Sequence, residues 1–106
     1  MTNGNQKGKR GERELAAYLT ERGHPARRGQ QFKGGADSPD VVCPSLPVHW
    51  ECKRVERLRL PEAMAQAIDE AAPGKLPVVA HRRNGGDWLA IMRLDDLLEL
   101  MVNSND

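Results

Sequence analysis

The stretch Val48–Lys53, VHWECK, limits the possible folds of this chain more than any other. As a strand it sends Val48, Trp50 and Cys52 to one face and His49, Glu51 and Lys53 to the other. The first face reads as ordinary core. The second places a carboxylate beside an ammonium in mid-sheet, where charge is costly to bury. A fold that accepts this strand must give the charged face something to act on.

A chain of 106 residues and 11.8 kDa is expected to form one domain with a real core. Hydrophobic content of 39% and 29% charged residues describe a soluble globular protein. No apolar run approaches the roughly 20 residues of a membrane span, and the opening MTNGNQKGKRGERE is polar and basic, without a secretory core. The expected location is the cytoplasm. Cys43 and Cys52 lie beside apolar residues, with no CxxC and no paired histidines, so both are expected as buried free thiols. The net charge of +1 hides an asymmetry: residues 1–33 carry +5 and the remainder −4. A basic N-terminal third suits a polyanion, although a solvated helix face has the same composition.

Residues 1–8 lack apolar content and are expected as a flexible basic tail before a single domain, 9–106. Leu15, Ala16, Tyr18 and Leu19 form a helical stripe that Gly23 stops. HPARRG is a short extended piece, QQFKGGADSPD a Gly-rich loop, and DVVC a short strand ended by Pro44. After VHWECK, Pro61 opens a second helix with Met64, Ala67, Ile68 and Ala71 as its stripe. LPVVAHRR and DWLAIMRL are strands joined through the hairpin signal NGG. A last helix starts near Asp95, with Leu97, Leu98 and Met101 facing inward. The expected fold class is α/β: a central mixed β-sheet flanked by helices, in the order α-β-β-β-α-β-β-α.

If DVVC and VHWECK pair across PSLP, hairpin geometry brings Asp40 close to Glu51. Two adjacent carboxylates resist ionising together. A divalent cation relieves that conflict, and Mg²⁺ takes oxygen ligands of this kind, with Mn²⁺ expected to substitute. Lys53 shares a strand face with Glu51 and is placed to orient a water or to stabilise phosphate charge. Glu-x-Lys alone is common on exposed strands as a weak ion pair. The arrangement, with SPD upstream and Glu12 in the first helix, carries the functional reading.

The set GKRGER (Gly8–Arg13), SPDVV (Ser38–Val42) and ECK (Glu51–Lys53) resembles the PD-(D/E)XK nuclease superfamily. Its order and small size are most similar to the archaeal-type Holliday junction resolvases, including phage and prophage versions. The resemblance runs from about Lys7 to Leu100 and implies a restriction-endonuclease-like core. It implies Asp40 and Glu51 as magnesium ligands with the backbone carbonyl of Cys52, Lys53 as the catalytic lysine, and Glu12 as an acid joining the metal and water network. Gln66 matches a glutamine often seen after ExK in related nucleases. The loop departs from the family's pattern: the alignment of Ser38 to its catalytic-loop serine stays open, and Ser38 is carried as a candidate DNA contact. Asp37 is a second acid near the site, and the PD context favours Asp40.

Phosphate contacts on more than one DNA arm would fall to Lys7, Lys9, Arg10, Arg13, Arg27, Arg28 and Lys33, with Arg54, Arg57 and Arg59 flanking the scissile phosphate. His81, Arg82 and Arg83 are read as a hairpin tip on the surface, and His24 and His49 as side chains without a ligand partner. The resemblance implies a homodimer, since two symmetric cuts need two identical sites. Trp88, Ile91, Leu97, Leu98 and Met101 are its apolar candidates. The leading expectation is a magnesium-dependent endonuclease hydrolysing branched double-stranded DNA, with no small-molecule cofactor and no membrane partner. A nuclease of duplex or flap DNA, and a DNA-binding module that does not cut, are the alternatives.

Overall fold

Glu12, Leu15, Ala16 and Leu19 share one face of the first helix, α1 (Gly4–Glu21), and that face is buried. The computed structural model describes residues 4–30 and 39–103, with side chains from Gly8 onward. Helix α1 begins at Gly4, so residues 4–8, expected in the tail, continue it; extending a formed helix costs little. It ends in paired hydrogen bonds from Gly23 N–H to Thr20 and from His24 N–H to Leu19, with Gly23 at φ 90°.

The elements that follow are β1 (Arg27–Arg28), β2 (Val41–Val42), β3 (Val48–Lys53), α2 (Leu60–Glu70), β4 (Leu76–His81), β5 (Leu89–Ile91) and α3 (Leu94–Asn103). Their order is the one expected. They build a five-stranded sheet ordered β1-β2-β3-β4-β5, antiparallel throughout except for the parallel β3–β4 pair. A parallel pair needs a crossover, and α2 supplies it. This mixed sheet flanked by helices is a restriction-endonuclease-like α/β core.

Two apolar clusters lie on opposite faces of the sheet. Leu15, Ala16 and Leu19 of α1 pack with Val41, Cys43 and Ala80, and with half-buried Trp50, Cys52 and Trp88. Ala63 and Ala67 of α2 pack with Val79, Leu58, Met64 and Ile91. Both faces of β3 are therefore covered, and here the sequence reading needs correction. His49 (1% exposed) and Glu51 (2%) are buried more deeply than Val48 or Trp50. A central strand beside a crossover helix has no solvated face to offer.

Helix α2 keeps Met64 and Ala67 of the expected stripe against the sheet and adds Ala63 to it. Ala63 and Ala67 are its buried residues, while Ile68 is exposed. Small side chains let the helix sit close to the sheet, and Pro61 occupies its first turn. Helix α3 is a second correction, since none of its residues is buried. Leu97, Leu98 and Met101, expected inward, are exposed, as are Leu94 and Val102. Its apolar stripe is real, but the two faces of the sheet are already covered by α1 and α2. Of the apolar dimer candidates, Trp88 and Ile91 join the core clusters and the three on α3 stay on the surface.

Candidate active site

The short β2 strand positions the first carboxylate. Asp40 donates its N–H to the Trp50 carbonyl at 3.0 Å, and its carbonyl accepts from Gly29 N–H at 2.9 Å. Its Oδ2 accepts from Cys52 N–H at 2.8 Å, which fixes the carboxylate against β3 beside Glu51. Burial, and then the Glu51 carboxylate, push the Asp40 pKa from 3.8 up to about 8, against the Cys52 hydrogen bond that lowers it. Glu12 adds to the same upward push. Glu12 arrives because its place on α1 is one turn before Leu15, on the buried face; Arg28 Nε donates to its Oε1 at 2.8 Å. Lys53 Nζ stands 4.0 Å from Glu51 Oε1. The structure thus brings Glu12, Asp40, Glu51 and Lys53 to one end of the β2–β3 pair; hairpin geometry and strand alternation account for Asp40, Glu51 and Lys53, whereas Glu12 was expected there only from the family resemblance.

A half-buried carboxylate held beside the buried Glu51 carboxylate makes a donor set for a hard divalent cation. An ammonium beside them is suited to a phosphate oxygen or a water. The same acids raise the pKa of the half-buried Cys52 thiol above its ordinary value, with burial the largest cause and Asp40 next. Cys43 and Cys52 are both free, and Cys52 is only partly covered.

Sequence reasoning missed two residues on the other side of Glu51. His49 Nε2 lies 3.9 Å from Glu51 Oε2 and 3.9 Å from Glu70 Oε2, so the expectation that His49 has no partner is corrected. Glu70 follows Ala67 by three residues and Ala63 by seven, which puts it on the sheet-facing stripe of α2. That spacing was the available signal; it was hidden because Ile68, more apolar than the alanines, suggested a face rotated away from Glu70. Gln66 Nε2 donates to Glu70 Oε1 at 3.3 Å.

The basic residues divide into two groups. Arg28 is held by Glu12, and Arg54 Nε donates to Glu14 Oε1 at 3.0 Å. Arg82 joins the same Glu14 oxygen, so the reading of 81–83 as a surface tip is corrected for two residues. His81 is buried and donates through Nε2 to the Val55 carbonyl at 2.8 Å, and Arg83 alone of the three is exposed. Lys9, Arg10, Arg13, Arg27, Arg57 and Arg59 are exposed. Arg57 and Arg59 line an open pocket of about 260 Å³ together with Lys53 and Gln66. The side chain of Lys7, together with Lys33, Gly34, Gly35, Asp37 and Ser38, lies outside the described residues.

The motif GKRGER also acquires a physical reason. A Cβ on Gly11 would stand 2.6 Å from the Arg54 Cβ, whereas one on Gly8 would meet nothing. Gly11 is therefore what lets α1 lie against the end of β3 and deliver Glu12.

The fold is a compact α/β core that gathers acidic side chains at one end of the β2–β3 pair. The family model described as archaeal Holliday junction resolvase (hjc) matches residues 3–99. The chain belongs to that family, which acts on DNA and supports a nuclease reading. No curated protein and no solved structure matches it. Among the described residues no helix is long and apolar enough to cross a membrane.

Proposed function

We propose that the protein is a magnesium-dependent, structure-selective endonuclease that resolves four-way DNA junctions by paired hydrolysis. The observation that carries this reading is the convergence of Asp40, Glu51, Lys53 and Glu12 at one end of two short strands, in a chain of the resolvase family. Asp40, Glu51 and the Cys52 carbonyl would hold the ion, which would supply Lewis-acid stabilisation to the phosphate and lower the pKa of water. Lys53 would stand beside the phosphate where negative charge grows, and could orient the attacking water. Glu12, steadied by Arg28, holds the same network from α1. No protein nucleophile is required, so the reaction proceeds without a covalent intermediate.

DNA binding falls to the exposed Lys9, Arg10, Arg13, Arg27 and Arg57, which contact phosphates without reading sequence. The pocket beside Lys53 is open to a backbone phosphate through Arg57 and Arg59. Arg28 and Arg54 act instead by fixing carboxylates. Two cuts in one junction require two sites, and a homodimer formed through the exposed apolar stripe of α3 supplies them.

The test is cleavage of a synthetic four-way junction beside a linear duplex of the same sequences, with Mg²⁺ or EDTA, for wild type and Lys53→Ala. Paired nicks in the junction alone, lost with EDTA and in the variant, support the reading. Equal cutting of both DNAs would leave a nuclease of another preference. Folded wild type that binds the junction in Mg²⁺ or Mn²⁺ without cutting it would replace the enzyme by a binding module.

A further inference from the structure

Glu51 has two carboxylate oxygens in different surroundings. Oε1 faces Lys53, and Oε2 faces His49. His49 Nε2 and Glu51 Oε2 are both buried without a hydrogen-bond partner among the described residues. Leaving two such buried polar atoms unpaired is destabilising. At 3.9 Å their separation is too long for a hydrogen bond. It is close to the roughly 3.4 Å between neighbouring ligand atoms around a tetrahedral cation with bonds of about 2.1 Å. The Glu70 carboxylate closes the third side, and all three donor atoms lie within 4.8 Å of one another.

We infer that His49, Glu51 and Glu70 form a second cation site, selective for a transition-type divalent ion such as Zn²⁺, Co²⁺ or Mn²⁺. An imidazole nitrogen with two carboxylates favours these ions over Mg²⁺, which prefers an all-oxygen shell. The Glu70 side chain is 38% exposed, which gives an entry path and room for a water ligand, and Gln66 steadies its other oxygen. The His49 side chain is 1% exposed and aimed into the cluster, so the nitrogen ligand is already in place. A bound ion would tie α2 to β3 and fix the rotamer of Glu51 from behind. Through that shared residue, transition-metal supply would be coupled to the acidic pair on the opposite side.

The full chain, stripped of metal and held in millimolar Mg²⁺, is titrated with Co²⁺ by visible absorption and with Zn²⁺ by calorimetry. One ion per chain is expected, with binding kept in Asp40→Asn and weakened about tenfold or more in Glu70→Gln. Zn²⁺ should raise the melting temperature of wild type and not of Glu70→Gln, a surface variant whose folding is checked by circular dichroism. His49→Gln should lose the ligand-field bands of Co²⁺. No Co²⁺ binding in excess Mg²⁺ would overturn the inference. Binding that Asp40→Asn abolishes and Glu70→Gln spares would overturn it equally. Neither readout involves DNA cleavage, so the result stands apart from the proposed activity.

Discussion

Helices α1 and α3 both carry an apolar stripe, and they meet opposite fates. The α1 stripe is interrupted by charge and glycine, yet Leu15, Ala16 and Leu19 are buried against the sheet. The α3 stripe is richer in leucine, yet nothing on it is buried, with Leu94 at 66% exposure and Leu98 at 51%. Hydrophobicity selects which face of a helix can be buried, whereas the covering of the sheet decides which helix is. Helix α1 occupies its layer because Gly11 allows contact with β3, and the reward is that Glu12 reaches the site. Helix α3 comes after both layers are filled. Its apolar face is available for association.

That contrast can be broken or sharpened by experiment. On the α1 side the largest effect is on catalysis. Glu51→Gln should reduce junction cleavage by about a thousandfold or more, measured in single turnover, since it removes a carboxylate from the reacting end. Junction affinity by gel shift should persist, because no phosphate donor is lost. Stability should also depend on pH through Asp40. Its pKa is raised to about 8 in the fold, so the neutral form is favoured there. The stabilisation is complete below about pH 4 and is lost as pH rises toward 8, with a limiting slope of about 1.4 kcal/mol per pH unit. Denaturant unfolding of metal-free protein should follow this decline. Asp40→Asn, which keeps an acceptor for Cys52 N–H, should flatten it.

The glycines give a smaller, paired effect. Gly11→Ala should cost about 1–3 kcal/mol by overpacking against Arg54. Gly8→Ala should gain about 0.5–1 kcal/mol from helix propensity. Equal effects at the two positions would refute the close approach of α1 to β3. The smallest effect belongs to α3. Leu98→Glu should change monomer stability by less than about 0.5 kcal/mol, while sedimentation at micromolar protein shows loss of a dimer. A loss of about 2 kcal/mol would mean that α3 is packed in the monomer, and the comparison would fall.

The order of elements, the acid on the first helix and the Asp40–Glu51–Lys53 set were all legible in the chain. Periods of two and of about 3.6 residues, proline and glycine punctuation, and a short hairpin link are local properties, and a strand fixes which residues share a face. Hairpin geometry places Asp40 beside Glu51 from the sequence alone. It did not place Glu70. A helix shows its stripe in sequence but not its rotation against the sheet, and here the close-packed alanines turned Glu70 toward His49. Nor could it tell that both faces of β3 are covered, that Arg28 and Arg54 are engaged by carboxylates, or that α3 stays outside. Those outcomes depend on which of several competing faces reaches the core, and that competition is settled only when the layers assemble.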